Sequence, residues 1–305
     1  MKLSIESLDK DVEIIKATYY GLNLTLLLID HDTLLDASTQ PIAKEIYEQG
    51  VCPGKVIISH CHHDHSGGGE YFEKRGSVVY GSKITAGTVT FTTKSYISNF
   101  FPTRHQIWFS TNYIEGFIKG IENEFKPIGN ITTNFNNLKN IQVIDAGGHT
   151  AGGLVVKHGN ILFTNDAING SGITNDNDIN MIPQISNFEA YLSLIRKIEE
   201  IKPEMIIPSH NYKPFKNDRV LEGSKLTEFL SESKNVAAKL IMVGKQILES
   251  EDPLSLGLFT KLLLHNFGIE ELYPQAFITR DAILRYIKGV NIIKEGEVEY
   301  FYIKK

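Results

Sequence analysis

Short apolar runs broken by glycine and polar residues fill most of the first 215 positions, and this pattern predicts strands. Val12–Lys16, Leu22–Asp30 and Thr33–Leu35 are rich in Ile and Leu; Val56–Ile58, Val78–Tyr80, Ile141–Ile144, Leu154–Val156, Ile161–Phe163 and Met205–Ile207 read the same way. Pro41–Gln49 places proline in a first helical turn and Gly50 just past the end, the usual start and stop chemistry of a helix. Phe188, Tyr191, Leu192, Ile195 and Ile198 recur at helical spacing behind Asn187, a good capping residue, and Lys202-Pro203 stops that helix.

After about residue 215 the pattern lengthens. Leu221–Ser250, Leu256–Phe267 and Thr279–Lys288 predict helices, and Asn291–Lys304, with Lys294–Glu297 at its centre, predicts a hairpin. The chain therefore divides into a strand-rich part, 1–215, and a helical module with a terminal β-wing, 216–305. Residues 169–180 are polar and turn-rich and predict a loop.

Composition narrows the class. A chain of 305 residues is about two domains at roughly 150 each. Hydrophobic residues at 42% and charged residues at 22% exclude a disordered chain. A net charge of −5 argues against wrapping nucleic acid. The N-terminus lacks the apolar core of a secretory signal, and Leu22–Ile29 is too short to span a bilayer, so a cytoplasmic protein with no membrane association is expected. Ten histidines against two cysteines exclude a disulfide scaffold or a thiolate zinc finger. Cys52 and Cys61 are expected reduced. Any metal must be held by nitrogen and oxygen.

The segment Ser59-His-Cys-His-His-Asp-His65 follows the apolar run Val56–Ile58 directly. His60 and His62, two apart in extended chain, point the same way and can grip one ion. Asp64 and His65 can grip a second. Imidazole with carboxylate suits zinc, iron, manganese or cobalt. His149, Asp166 and His210 each lie near a strand end beside glycine, serine or asparagine, where the backbone can approach an ion closely.

These residues resemble the metallo-β-lactamase superfamily, whose hallmark His-x-His-x-Asp-His stands here as His60, His62, Asp64 and His65. Order and spacing match over residues 10–212. The resemblance implies an α/β fold, a four-layer αββα sandwich with metals at one edge of its two sheets. It implies one site from His60, His62 and His149, another from Asp64, His65 and His210, and Asp166 bridging both. Asp36 would support a ligand from behind. Gly147-Gly-His-Thr-Ala-Gly152, Asn165-Asp166 and Pro208-Ser-His-Asn211 depart from the family's usual surroundings of these ligands, which bears on substrate more than on metal binding. The C-terminal module resembles the winged-helix-like tail of some members, endoribonucleases among them.

Two divalent ions about 3.5–4 Å apart, zinc first with iron or manganese as alternatives, would bridge a hydroxide and bring its pKa near 7. The expected function is a dinuclear metal-dependent hydrolase acting on a small-molecule ester, lactone or thioester, with Asp166 orienting the nucleophile and Asp64 passing the proton. The competing readings are a phosphodiesterase or ribonuclease of the same fold and a low-turnover metal-containing binding protein. The tail carries 13 basic and 13 acidic residues, which favours packing or a homodimer over RNA.

Other residues stand open. Gly67-Gly-Gly69 reads either as an anion-binding backbone or as a flexible turn. His63 and Cys61 are expected to point away from the ions. His31, His105, His158 and His265 are expected in surface or ordinary polar packing. The aromatic interval 84–135 reads as a pocket wall or as a local helical core. Tyr191 could reach the site, but its register favours packing.

Overall fold

The computed structural model describes residues 2–19, 21–174, 180–216, 218–250, 253–296 and 298–303. Part of the loop expected over 169–180, and Glu297 and Lys304 of the expected terminal hairpin, lie outside the described residues.

The chain opens with strands β1 (Lys2–Asp9), β2 (Val12–Tyr19), β3 (Leu22–Ile29) and β4 (Thr33–Leu35). Helix α1 (Gln40–Glu48), strand β5 (Lys55–Ile57), helices α2 (His63–Ser66) and α3 (Gly69–Glu73) and strand β6 (Val78–Tyr80) complete a first sheet. Its order is β1 to β6 in sequence, antiparallel as far as β4 and parallel from β4 to β6. Helices α4 (Lys83–Val89), α5 (Thr93–Phe100), α6 (Thr103–Gln106) and α7 (Thr111–Glu124) follow.

Next come β7 (Ile141–Asp145), β8 (Leu154–His158), β9 (Ile161–Asn165), the small pair β10 (Ile173–Thr174) and β11 (Asn180–Met181), helix α8 (Phe188–Ile201), β12 (Met205–Pro208) and β13 (Leu221–Glu222). The second sheet runs β13-β12-β9-β8-β7, with β12 parallel to β9. The chain ends in α9 (Gly223–Ser250), β14 (Leu254–Ser255), α10 (Leu256–His265), α11 (Pro274–Tyr286), β15 (Val290–Glu295) and β16 (Val298–Ile303). The last three strands form their own sheet, β14-β16-β15, which gives the tail a winged-helix-like order.

Alternation along the strands builds the layers, because successive side chains point to opposite faces. In β3, Leu24, Leu26 and Leu28 pack outward with Ile42, Ile46 and Phe125, while Leu27 and Ile29 face the second sheet. In β9, Ile161 and Phe163 meet them between the sheets, and Leu162 faces the opposite way, towards Ile195 of α8 and Leu240 of α9. The result is the expected four-layer αββα sandwich. The outermost cluster runs from Ile144 to Phe301, so the C-terminal helices share apolar core with the second sheet.

The strand centres and the Asn187 cap, which accepts from the Ala190 N–H, stand where the sequence pattern places them. Strand β1, not among the expected strands, lies at the sheet edge, where partly buried Leu3 and Ile5 alternate with exposed residues. Leu221 and Glu222 extend the second sheet and do not begin the long helix. Helix α11 begins at Pro274, five residues before the expected Thr279, because proline fits the first helical turn. Between 83 and 124 helices α4, α5 and α7 are each started by a hydroxyl cap, Ser82, Thr92 and Ser110.

Candidate metal centre

Five strands deliver the site from their carboxyl ends. Asp36 follows β4, His60–His65 follow β5, His149 follows β7, Asp166 follows β9 and His210 follows β12. Among the described residues two groups could hold metal ions: His60, His62, His149 and Asp166, and next to it Asp64, His65 and His210. All seven sequence-predicted positions therefore converge, and all but Asp64 are buried.

Each imidazole is oriented by a partner on its outer nitrogen. His149 Nδ1–H donates to the Gln184 carbonyl (2.9 Å) and His210 Nδ1–H to the Asn23 carbonyl (2.9 Å). His65 Nδ1 stands 2.7 Å from Asp36 Oδ2, and His60 Nδ1 2.9 Å from Ser59 Oγ. These bonds leave Nε2 of all four rings aimed inward, as the atom each ring can offer to a cation. His62 is turned round: its Nδ1 lies 2.9 Å from His60 Nε2 and 3.1 Å from His149 Nε2. Three lone pairs so placed repel one another unless a cation lies between them.

Asp166 occupies the centre. Its Oδ2 is 3.1 Å from His65 Nε2, 3.3 Å from His210 Nε2 and 3.7 Å from both His60 Nε2 and His149 Nε2. Its Oδ1 is buried and accepts no hydrogen bond within the described residues. Asp64 Oδ2 reaches only the second group, 3.3 Å from His210 Nε2 and 3.6 Å from His65 Nε2.

The electrostatics ask for positive charge. Burial opposes ionisation of Asp166, yet His210 and His65 together hold its carboxyl well below the usual range. Burial likewise opposes a charged His210, but the Asp166 and Asp64 carboxylates push it up to about 9. His60, wrapped mainly by other imidazoles, is driven well below the ordinary histidine value by burial. A buried set of carboxylates and inward-facing imidazoles fits divalent cations, and Cys61, whose thiol burial pushes up to about 11, is no competitor for them.

The departures from the family pattern have local reasons. Asn165 has φ +43, a left-handed backbone that asparagine tolerates better than most side chains. Its Oδ1 accepts from the Asp166 and Ala167 N–H groups, fixing the turn that presents the carboxylate. Gly67 and Gly68 form the turn into α3, and their N–H groups, donated to the His63 and Ser38 carbonyls, are not open to an anion. A Cβ on Gly68 would run into the Ala37 carbonyl and the Ala43 methyl, so only glycine fits.

The remaining singled-out residues lie elsewhere. His63 turns away to Glu124 (3.0 Å). His31 pairs with Glu13, His265 with Glu270, and His158 donates to the Asn140 carbonyl. His105 is buried beside Asp281. Tyr191 is core, accepting the Asn169 N–H on its hydroxyl. The aromatic interval does both jobs: Tyr96, Phe101 and Phe125 are buried, while Phe100 and Phe117 line the cavity over the metal groups. Sequence reading missed Gln184, Asn169, Tyr212 and Tyr273, which also line it. Tyr212, two residues beyond His210, and Asn169, three beyond Asp166, offered proximity as their only signal.

An αββα sandwich with paired His/Asp metal groups at its strand ends is the architecture of a metal-dependent hydrolase. The chain belongs to the metallo-β-lactamase superfamily, whose family profile matches residues 28–210. No curated protein sequence matches it. Among solved structures, a metallo-β-lactamase family protein from Thermus thermophilus is similar at 14% identity and TM-score 0.65, over 98% of this chain and 100% of that one. The metallo-β-lactamase FIM-1 from Pseudomonas aeruginosa, in its mono-zinc form, aligns at 15% identity and TM-score 0.51, over 78% of this chain and 96% of that one. A metallo-β-lactamase from Erythrobacter litoralis, with β-mercaptoethanol in its active site, aligns at 14% identity and TM-score 0.51, over 78% of this chain and 96% of that one. At these identities the likeness is one of fold. No helix among the described residues is long and apolar enough to cross a membrane.

Proposed function

We propose that the protein is a dinuclear hydrolase of small, uncharged esters, lactones or thioesters. The observation that carries this reading is the cavity of about 260 Å³ over the metal groups. Its wall is apolar (Phe100, Phe117, Ile173, Met181) with neutral polar groups at Asn169, Gln184 and Gln275, and among the described residues no lysine or arginine lines it. An RNA backbone needs further cations for the phosphates beyond the scissile one, and the described wall supplies none.

In this reading His60, His62 and His149 hold one ion, Asp64, His65 and His210 the other, and Asp166 lies between them. Zinc is the first choice, and iron or manganese suits the same donors. Bound ions supply Lewis acidity and a nucleophile from water at neutral pH. Asp64, on the cavity side of the cluster, takes up and returns a proton. The apolar wall excludes water around the acyl group, and the Gln275 amide orients it.

The two unpaired cysteines support a reducing, cytoplasmic setting. We place the boundary of the catalytic part at 215 and treat 216–305 as a module; its own three-stranded sheet supports this, although β13 from this stretch joins the second sheet. A panel of p-nitrophenyl esters, lactones, thioesters, bis-p-nitrophenyl phosphate and single-stranded RNA tests the reading. Turnover confined to the first three classes is expected. Turnover confined to the last two overturns it.

A further inference from the structure

The segment Ile182–Ser186 runs past the metal groups and is hydrogen-bonded on both sides. From the C-terminal module, Tyr273 Oη accepts the Ile182 N–H (2.7 Å) and Thr279 Oγ1 accepts the Ile185 N–H (3.0 Å). The Thr279 hydroxyl donates in turn to the Pro183 carbonyl (2.9 Å), and Arg285 donates to the Ser186 carbonyl (3.1 Å). All of these partners lie on α11 or its cap. On the opposite side the Gln184 carbonyl accepts from His149 Nδ1–H, and the Gln184 side-chain amide stands 3.1 Å from His62 Nε2.

Thr279 is fully buried in the middle of a helix, and there a threonine hydroxyl ordinarily bonds back to the carbonyl four residues earlier. Thr260 in α10 does so, donating to the Leu256 carbonyl (2.7 Å). Thr279 instead spends its single proton across the molecule. Its oxygen and hydrogen together bracket Gln184, with one bond to the residue before it and one to the residue after.

We propose that α11 is a positioning element of the metal centre, with Thr279 fixing, through the 182–186 segment, the ring orientation of His149 and His62. This rests on reading those imidazoles as metal ligands. The tail then has an active-site role: Tyr273 and Gln275 wall the cavity, and Thr279 holds the segment that aims two ligands. Partners that orient a ligating histidine from behind typically change metal affinity by about 10–100-fold when removed.

The test uses the full-length, zinc-loaded protein and reads zinc loss to a chelator, which needs no substrate. Thr279→Val keeps the side-chain shape but removes both bonds, and it is expected to weaken zinc retention about tenfold. Thr279→Ser keeps the hydroxyl and should retain zinc within about twofold of the parent, which is the rescue a purely structural role would not need. Thr260→Val, an equally buried change in the same module, should leave retention unchanged. Parental retention in Thr279→Val, or equal losses in Thr279→Val and Thr260→Val, overturns the positioning role. A parent protein that takes up no divalent ion instead overturns the metal reading itself.

Discussion

Asp36 Oδ2 stands 2.7 Å from His65 Nδ1 and also accepts the Ser59 hydroxyl (2.9 Å), whose oxygen lies 2.9 Å from His60 Nδ1. One buried carboxylate thus orients an imidazole in each of the two metal groups. Asp36 has φ +67, so asparagine is the replacement that keeps the backbone unstrained. Asp36→Asn sets an N–H against either His65 Nδ1–H together with the Ser59 hydroxyl, or the Ser59 backbone N–H, and leaves the fold intact. Metal affinity by chelator competition should fall about 10–100-fold. An unchanged affinity would show that this carboxylate does not support the ligands.

Asp166 is the residue whose loss should change stoichiometry. Among the described residues it alone stands within 3.7 Å of histidines from both groups through one oxygen. The parent protein should carry close to two ions per chain by elemental analysis, and Asp166→Ala about one or fewer, with hydrolysis reduced at least about 100-fold. Full metal content in the variant would remove Asp166 from the bridging position.

The candidate ligand set was legible because His60–His65 lie within six residues and the others each sit at or near the end of an apolar strand. Strand centres were legible for the same reason, since β3 and β9 carry apolar residues on both faces. What reaches the site across the fold was not. Gln184 lies in an irregular segment, and its role comes from His149 and Thr279, 35 residues before it and 95 after it. Asn169 and Tyr212 meet each other (2.9 Å) only because β9 and β12 are parallel neighbours. The glycines at 67 and 68 signalled closeness of backbone, but not which backbone.

Tyr212 follows as a prediction of this packing. Its phenol is pushed well above the ordinary tyrosine range by burial, reinforced by the Asp166 carboxylate, so it keeps its proton at neutral pH. The hydroxyl accepts from Asn169 Nδ2 and faces the cavity. Tyr212→Phe should lower kcat/KM about tenfold, near 1.4 kcal/mol, with metal content unchanged. Equal activity would place the hydroxyl outside the reaction.

His105 sets a pH dependence away from the metals. Its Nε2 lies 3.2 Å from Asp281 Oδ2 and 3.4 Å from Arg280 Nη2. Burial lowers its pKa, and the neighbouring arginines add to this against the pull of Asp281. The unfolded chain therefore binds a proton that the folded protein refuses, and stability falls as pH drops below about 6.5. His105→Gln keeps a hydrogen-bonding group without the titration. Its urea midpoint relative to the parent should rise as pH falls from about 7 to about 5. A constant difference across that window would rule out His105 as the source.

Gly257 and Trp108 show how the aromatic interval is locked to the C-terminal module. Gly257 lies in the first turn of α10, and a Cβ placed there would overlap the Trp108 indole. Trp108 packs against the apolar cluster that contains Phe259 and Leu263, so the ring has little room to retreat. Gly257→Ala trades a favourable helix propensity of about 1 kcal/mol for overpacking of about 1–3 kcal/mol. The net expectation is a lower melting temperature despite the better helix former. Pairing it with Trp108→Phe, which shortens the ring at the point of overlap, should recover part of the loss. A stabilised Gly257→Ala protein would mean that the indole moves freely and that this contact does not fasten residues 103–108 to the tail.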